Sequence, residues 1–162
     1  METTFLQVTD TDIDYEKLRG RPRPSLNHGI IHANLIFEIG LRFRKRFQLL
    51  SKLDLNLDGW KSVADLVLFP PANLDISQDV IWVSKPPLCA IEILSANQSL
   101  NDLVSNVRNY FQHGVQSCWI VLPTMSNIYV YSSPSEYAIF RATETLVDAK
   151  HDISFPLAEV FK

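Results

Sequence analysis

Residues 88–123 read LCAIEILSANQSLNDLVSNVRNYFQHGVQSCWIVLP, and the order of patterns in this stretch decides the fold. An apolar run, Leu88 to Leu94, gives way to a segment, Asn101 to His113, in which Leu103, Val107 and Phe111 share one helical face. A second apolar run follows, Cys118 to Leu122. Gly114 stands where a helix stops on a left-handed residue, and Pro123 closes the second run. Strand, helix and strand in this order make a right-handed crossover that leaves the two strands parallel. The only charge in the first run is Glu92, and a second acid, Asp65, interrupts the apolar pattern VADLVLF at 63–69. Carboxylates rarely sit among Val, Leu and Ile without something to compensate the cost of burial.

Upstream, Ile30, Ile31, Leu35, Ile36, Ile39 and Phe43 recur at helical spacing, predicting a long amphipathic helix from about Ser25 to Phe47, capped by Ser25 or Asn27. Leu53, Leu55 and Leu57 alternate with polar residues, and Asp58-Gly59 is a turn signal leading into Val63–Phe69, so a hairpin is expected there. Pro70-Pro71 and Pro86-Pro87 bound a loop with one apolar island, Val80 to Val83. Downstream, strands are expected at about Ile128–Tyr131 and Tyr137–Arg141, then a short tail segment, Pro156 to Phe161. Residues 1–24 read as a polar arm punctuated by Pro22 and Pro24, with a short helix near Asp14 to Leu18. The sheet is therefore mixed, with the hairpin antiparallel and the crossover strands parallel.

A chain of 162 residues, 46% hydrophobic and 20% charged, has the composition of one globular domain. No run approaches the ~18 to 20 apolar residues of a membrane span, and the acidic start METTFLQVTDTDID lacks the features of a secretory signal, so a cytoplasmic protein is expected. Cys89 and Cys118 lie in apolar strands and read as reduced, buried thiols.

Two carboxylates converging from neighbouring strands make a hard, oxygen-rich site of the kind that holds Mg²⁺ or Mn²⁺, a chemistry suited to phosphodiester cleavage. The structural alternative makes Asp65 the partner of Lys61 or an arginine, and Glu92 half of a buried ion pair. The net charge of −3 hides a local asymmetry: Lys17, Arg19, Arg21, Arg23, Arg42, Arg44, Lys45 and Arg46 face a single acid, Glu38, between positions 17 and 46. Arg42, Arg44, Lys45 and Arg46 then track nucleic-acid phosphates or form a solvated helix end, and both readings stay open here. His28 and His32, at i and i+4, supply only half of a structural zinc site.

Taken together, His28-Gly29 with Asn34, VADLVLF, EILS at 92–95, Asp102, Tyr110 and HGVQSCWIVLP at 113–123 make the chain resemble the Uma-two family. That family groups with the endonucleases of the restriction-endonuclease-like, or PD-(D/E)XK, superfamily, and the resemblance covers residues 25–132. It implies an α/β (α+β) fold with a restriction-endonuclease-like core: a mixed central sheet in helix-strand-strand-strand-helix-strand order with extra C-terminal strands. The domain would run over 1–162, as an arm (1–24), the core (25–132) and a C-terminal extension (133–162). It also implies that Asp65 and Glu92 bind Mg²⁺ or Mn²⁺, with Asp102 among the catalytic residues and His28 a phosphate contact or a support to the ligands at the site mouth. The superfamily's lysine would stand at position 94, which is Leu94, and the family's alternative lysine at position 106, which is Asn106. Ala64 and Leu122 replace the usual proline and aspartate. Lys61 is the candidate substitute cation.

The expected activity is a divalent-metal-dependent endonuclease on DNA, with homodimerisation, common in nucleases of this fold, as an accompanying expectation. The competing expectation is a noncatalytic nuclease-fold protein that binds nucleic acid or a protein partner.

Overall fold

The computed structural model describes residues 24–162; the helix and the cations expected at 14–23 lie outside the described residues. Helix α1 (Leu26–Phe43) starts at Ser25, whose hydroxyl accepts from the His28 N–H at 3.2 Å, and buries Ile31, Leu35, Ile39 and Phe43. It ends four residues before the predicted Phe47, because the chain must turn at 44–46 to bring Phe47 back into the core. Arg44, Lys45 and Arg46 thus lie beyond the helix, and only Arg42 is in its last turn.

The elements that follow are β1 (Gln48–Ser51), β2 (Asp54–Leu57), β3 (Trp60–Val63), β4 (Leu66–Phe69), β5 (Cys89–Ile93), α2 (Leu100–Gln112) and β6 (Ser117–Leu122). A 3₁₀ turn (Pro123–Met125) leads to β7 (Asn127–Tyr131), β8 (Tyr137–Arg141), β9 (Thr145–Asp148) and β10 (Ile153–Pro156). The six-stranded central sheet runs β1-β4-β5-β6-β7-β8, with β5–β6 parallel across the α2 crossover and the other neighbours antiparallel. Within this sheet the order helix-strand-strand-strand-helix-strand holds for α1, β1, β4, β5, α2 and β6, with further strands after it.

Three details depart from the sequence reading. VADLVLF is two strands, β3 and β4, broken at Ala64-Asp65, because the β2–β3 hairpin leaves the sheet and packs on the α2 face. The first core strand is therefore the short β1, whose QLLS segment carries little alternation, rather than Leu53–Leu57. The tail forms a β9–β10 hairpin that covers the α1 face with Leu146, Ile153 and Phe155. The turn signals hold: Asp58 and Gly59 both take positive φ, +49° and +89°, as a tight hairpin requires, and Gly114 ends α2 at φ +94°.

The sheet is thus covered twice. α1 and the β9–β10 hairpin pack on Leu66, Leu68, Ile91, Ile93, Trp119 and Val121, while α2 and the β2–β3 hairpin pack on Val67, Ala90, Cys118 and Ile120. This double cover explains why β4, β5 and β6 are buried at every position and read as continuous apolar runs. Both cysteines are free and buried, as expected. Arg46 ties the layers together at one end: its guanidinium donates to the carbonyls of His151 (2.6 Å) and Asp152 (2.9 Å) and lies over the Phe47 ring at 5.2 Å. Leu35 is fully buried whereas Phe37, on the outer face of α1, is 66% exposed. Leu35→Ala should therefore cost about 2 to 5 kcal/mol in urea unfolding and Phe37→Ala less than ~0.5; equal losses would show that the outer face of α1 is covered too.

Candidate active site

The sheet register itself assembles the site. Ser51 pairs with Leu66 and Leu66 with Ile91, so one step further along the strands Lys52, Asp65 and Glu92 form a row across β1, β4 and β5. The Lys52 N–H donates to the Asp65 carbonyl at 3.1 Å, which extends the ladder by that step. Asp65 lies just before β4, in the break, and Glu92 lies within β5. Both are buried, at 4% and 6% exposure.

Asp65 is held from three sides. The Ile93 N–H donates to Oδ2 at 2.7 Å, the Lys52 ammonium rests on Oδ1, and His28 Nε2 stands 3.1 Å from the same oxygen. His32 Nε2 meets the Asp65 carbonyl at 3.1 Å and the Ser51 hydroxyl at 3.2 Å, so the i, i+4 histidines clamp one residue by its side chain and its backbone. The Ser25 cap makes this possible, since it fixes the first turn of α1 and with it His28. That turn contains no acid of its own, and Asp65 is the carboxylate presented to it. Nδ1 of His28 is buried and makes no hydrogen bond among the described residues.

Glu92 is held by Tyr110, whose hydroxyl donates to Oε1 at 3.0 Å and lies 2.6 Å from the Ser62 hydroxyl on β3. The neutral amide of Asn106 also approaches Glu92 from α2. Leu94 packs into the α2-side core, so position 94 offers no cation.

These surroundings pull the two carboxylates apart. Burial acts to raise Asp65, but the His28 hydrogen bond and the Lys52 charge outweigh it and hold the carboxyl below its ordinary 3.8. Burial, followed by repulsion from Asp65, pushes Glu92 up to about 8, against partial relief from Tyr110, Lys52 and Asn106. Near neutral pH the pair therefore carries one charge and one proton.

Both open onto a small cavity of about 70 Å³ lined also by Pro24, His28, Lys52, Val63, Ser95 and Gln98. The donor set suits a hard divalent cation: two convergent carboxylates with room for an ion and one or two waters at ~30 Å³ each. Among the described residues no cluster of three or more His, Cys, Asp or Glu side chains could hold a metal, so water and substrate oxygens would complete the coordination. Mg²⁺ is commonly bound in this way, through one or two carboxylates.

The other residues singled out in the sequence scatter. Asp102 is exposed on the first turn of α2 and does not line the cavity. Lys61 places its ammonium 4.9 Å from the Trp82 ring centroid and makes no ion pair with Asp65, a place taken by Lys52. Arg42 pairs with the buried Glu38, and Arg46 is committed to the C-terminal hairpin. Arg44 and Lys45 are exposed, but they follow Phe43, the end of α1, which at a helical rise of ~1.5 Å per residue is about 22 Å along the axis from His28. Lys52 carries no sequence signal at all: its backbone is left-handed, φ +53°, a conformation that costs a non-glycine residue about 1 kcal/mol or more.

The family model described as "Putative restriction endonuclease", Uma2, matches residues 3–156. The chain belongs to the Uma2 family. A solved structure of a "putative nuclease belonging to DUF820" from Anabaena variabilis ATCC 29413 superposes with a TM-score of 0.74 at 20% identity, covering 86% of this chain and 83% of that one. The Uma2 chain thus shares a nuclease-type α+β fold with it. No curated protein matches. No helix among the described residues is long and apolar enough to cross a membrane.

The raised Glu92 sets a pH signature. In the unfolded chain it ionises near 4.5, in the folded protein near 8, so between these values unfolding releases a proton and stability falls as pH rises. The slope is at most about 1.4 kcal/mol per pH unit and vanishes above the folded value. Glu92→Gln should gain stability relative to the parent progressively from pH 5 to 8 in urea titrations; a flat difference would mean that Glu92 is ionised in the folded state.

Proposed function

We propose that this Uma2 protein is a divalent-metal-dependent endonuclease that hydrolyses phosphodiester bonds in DNA, with Mg²⁺ or Mn²⁺ held by Asp65 and Glu92. The observation that carries the reading is the row Lys52, Asp65, Glu92, which brings two buried carboxylates and a cation to one cavity at the end of the sheet. A bound divalent cation supplies Lewis-acid polarisation of the phosphoryl group and lowers the pKa of water at the site.

The chain's own residues prepare this chemistry. Asp65 is ionised and fixed in orientation by the Ile93 N–H and His28, so its oxygens need no reorganisation. Glu92 holds a proton beside the charged Asp65 and would ligate a cation as the carboxylate, with Tyr110 holding its oxygen in place. Leu94, Val63 and the α2 face limit water around the pair. Calorimetry should show Mn²⁺ binding by the parent and at least a tenfold loss in Asp65→Asn and in Glu92→Gln, because each variant removes a charged oxygen ligand. The parent alone should nick supercoiled plasmid with Mn²⁺. Mn²⁺ binding equal to the parent's in both variants would displace the site, and metal binding without nicking would leave the noncatalytic reading, which the neutral Asn106 favours.

The described basic residues divide under this proposal. Arg42 and Arg46 serve the fold, and Arg44 and Lys45 are left to meet backbone phosphates away from the scissile one. Neutralising Arg44 and Lys45 together should lower the slope of log affinity against log salt for duplex DNA by nearly two, at ~0.9 per contact. An unchanged slope would return them to a solvated chain turn.

A further inference from the structure

A site that cleaves a phosphodiester needs positive charge where negative charge develops, beyond the ligands that hold the metal. The two positions where the family resemblance places a lysine are neutral, Leu94 and Asn106. Of the other cations near the sheet, Lys61 is stacked on Trp82, and Arg108 lines a separate cleft with Lys150 between α2 and the β7–β8 turn.

Lys52 is placed differently. The β1–β4 register sets it opposite Asp65, its ammonium touches Asp65 Oδ1, and its side chain forms the cavity wall beside both carboxylates while remaining 38% exposed. An ammonium on the oxygen that a divalent cation would occupy is a stand-in for that cation. The backbone carrying it is in the left-handed region, where glycine or asparagine is usual. A residue whose only task was to turn the chain from β1 into the β2–β3 hairpin would not need a lysine side chain there.

We infer that Lys52 is the catalytic cation of this site: it rests on Asp65 in the metal-free protein and turns to a nonbridging phosphate oxygen when a divalent cation takes the carboxylate. The inference rests on the endonuclease reading. In the reaction the water oxygen forms a new P–O bond as one ester P–O bond breaks. Water gives a proton to solvent, the leaving alkoxide takes one up, and Lys52 begins and ends as an ammonium, transferring no proton and acting as a compact point charge at one oxygen.

The test compares the parent with Lys52→Met and Lys52→Arg, using Mn²⁺ calorimetry, thermal unfolding, duplex binding in Ca²⁺ and plasmid nicking in Mn²⁺. Lys52→Met should lower kcat about 10²- to 10³-fold, change KM and duplex affinity less than ~3-fold, and bind Mn²⁺ as tightly as the parent or more so, since the ammonium no longer competes for Oδ1. Lys52→Arg keeps the charge but in a rigid planar fork, and should lose at least about tenfold in kcat with Mn²⁺ affinity kept. If Lys52→Met fails to fold, Lys52→Arg decides by the same criterion. A parent that cuts while a folded Lys52→Met cuts equally overturns the inference and leaves the endonuclease standing. A rate loss that follows loss of stability or of Mn²⁺ affinity, and that arginine fully repairs, makes Lys52 a structural clamp and also overturns it. A parent that binds Mn²⁺ and cuts nothing removes the endonuclease reading, and the inference with it.

Discussion

The interaction on which the site end of the molecule depends is the burial of the Asp65 carboxylate. An unpaired charge at 4% exposure would be untenable, and its compensation comes from three separate parts of the chain: the Ile93 N–H on β5, His28 on α1 and Lys52 after β1. Each of these fixes something larger. Ile93 sets β4 against β5, His28 and His32 set the start of α1 over the break in the sheet, and Lys52 sets the point where the chain leaves β1 for the hairpin. Removing one partner of such a group typically costs 3 to 5 kcal/mol, whereas replacing the whole cluster with apolar residues of the same volume is often neutral. Stability alone thus gives weak reason to keep a lysine, a histidine and two acids together, which is an argument for function from energetics rather than from shape.

Electrostatics at the pair follow from that arrangement. The nearby positive charge serves Asp65 first, so Glu92, one strand away, equally buried and only partly relieved by Lys52, is left to carry a proton. Two carboxylates with diverging pKa values beside one cavity form a site that is incomplete without added positive charge. A divalent cation would be the simplest completion, since it lowers both acids at once, and the family description, "Putative restriction endonuclease", is consistent with it.

How much of this was legible differs element by element. The crossover from β5 through α2 to β6 was readable because local patterns and global topology agree there, as were the Ser25 cap, the Asp58-Gly59 turn and Gly114, each of which acts within a few residues. The two acids stood out for the opposite reason, as violations of an apolar pattern. What could not be read is tertiary. Lys52 looks like any solvent-facing lysine in an alternating stretch, and only the pairing of β1 with β4 turns it to Asp65. The break inside VADLVLF was hidden because a strand that changes sheets keeps its apolar composition on both sides. Arg42 and Arg46 were indistinguishable from Arg44 and Lys45 by charge; their roles are set by Glu38, which is buried, and by a hairpin more than a hundred residues away.

The geometry of α1 carries one more consequence. Its first turn holds the site and the exposed Arg44 and Lys45 follow its far end, so helix length separates the cavity from that charge by more than about 20 Å. Among the described residues, positive charge at the cavity therefore comes from a single, placed side chain rather than from a general field, and a field at that distance is already beyond the ~8 to 10 Å screening length of physiological salt. Among the described residues lining the cavity, Lys52 is the only lysine or arginine. Under the proposed function, duplex affinity and turnover respond to different residues, the first to Arg44 and Lys45, the second to Lys52. A protein that merely bound nucleic acid through a diffuse basic surface would show no such division.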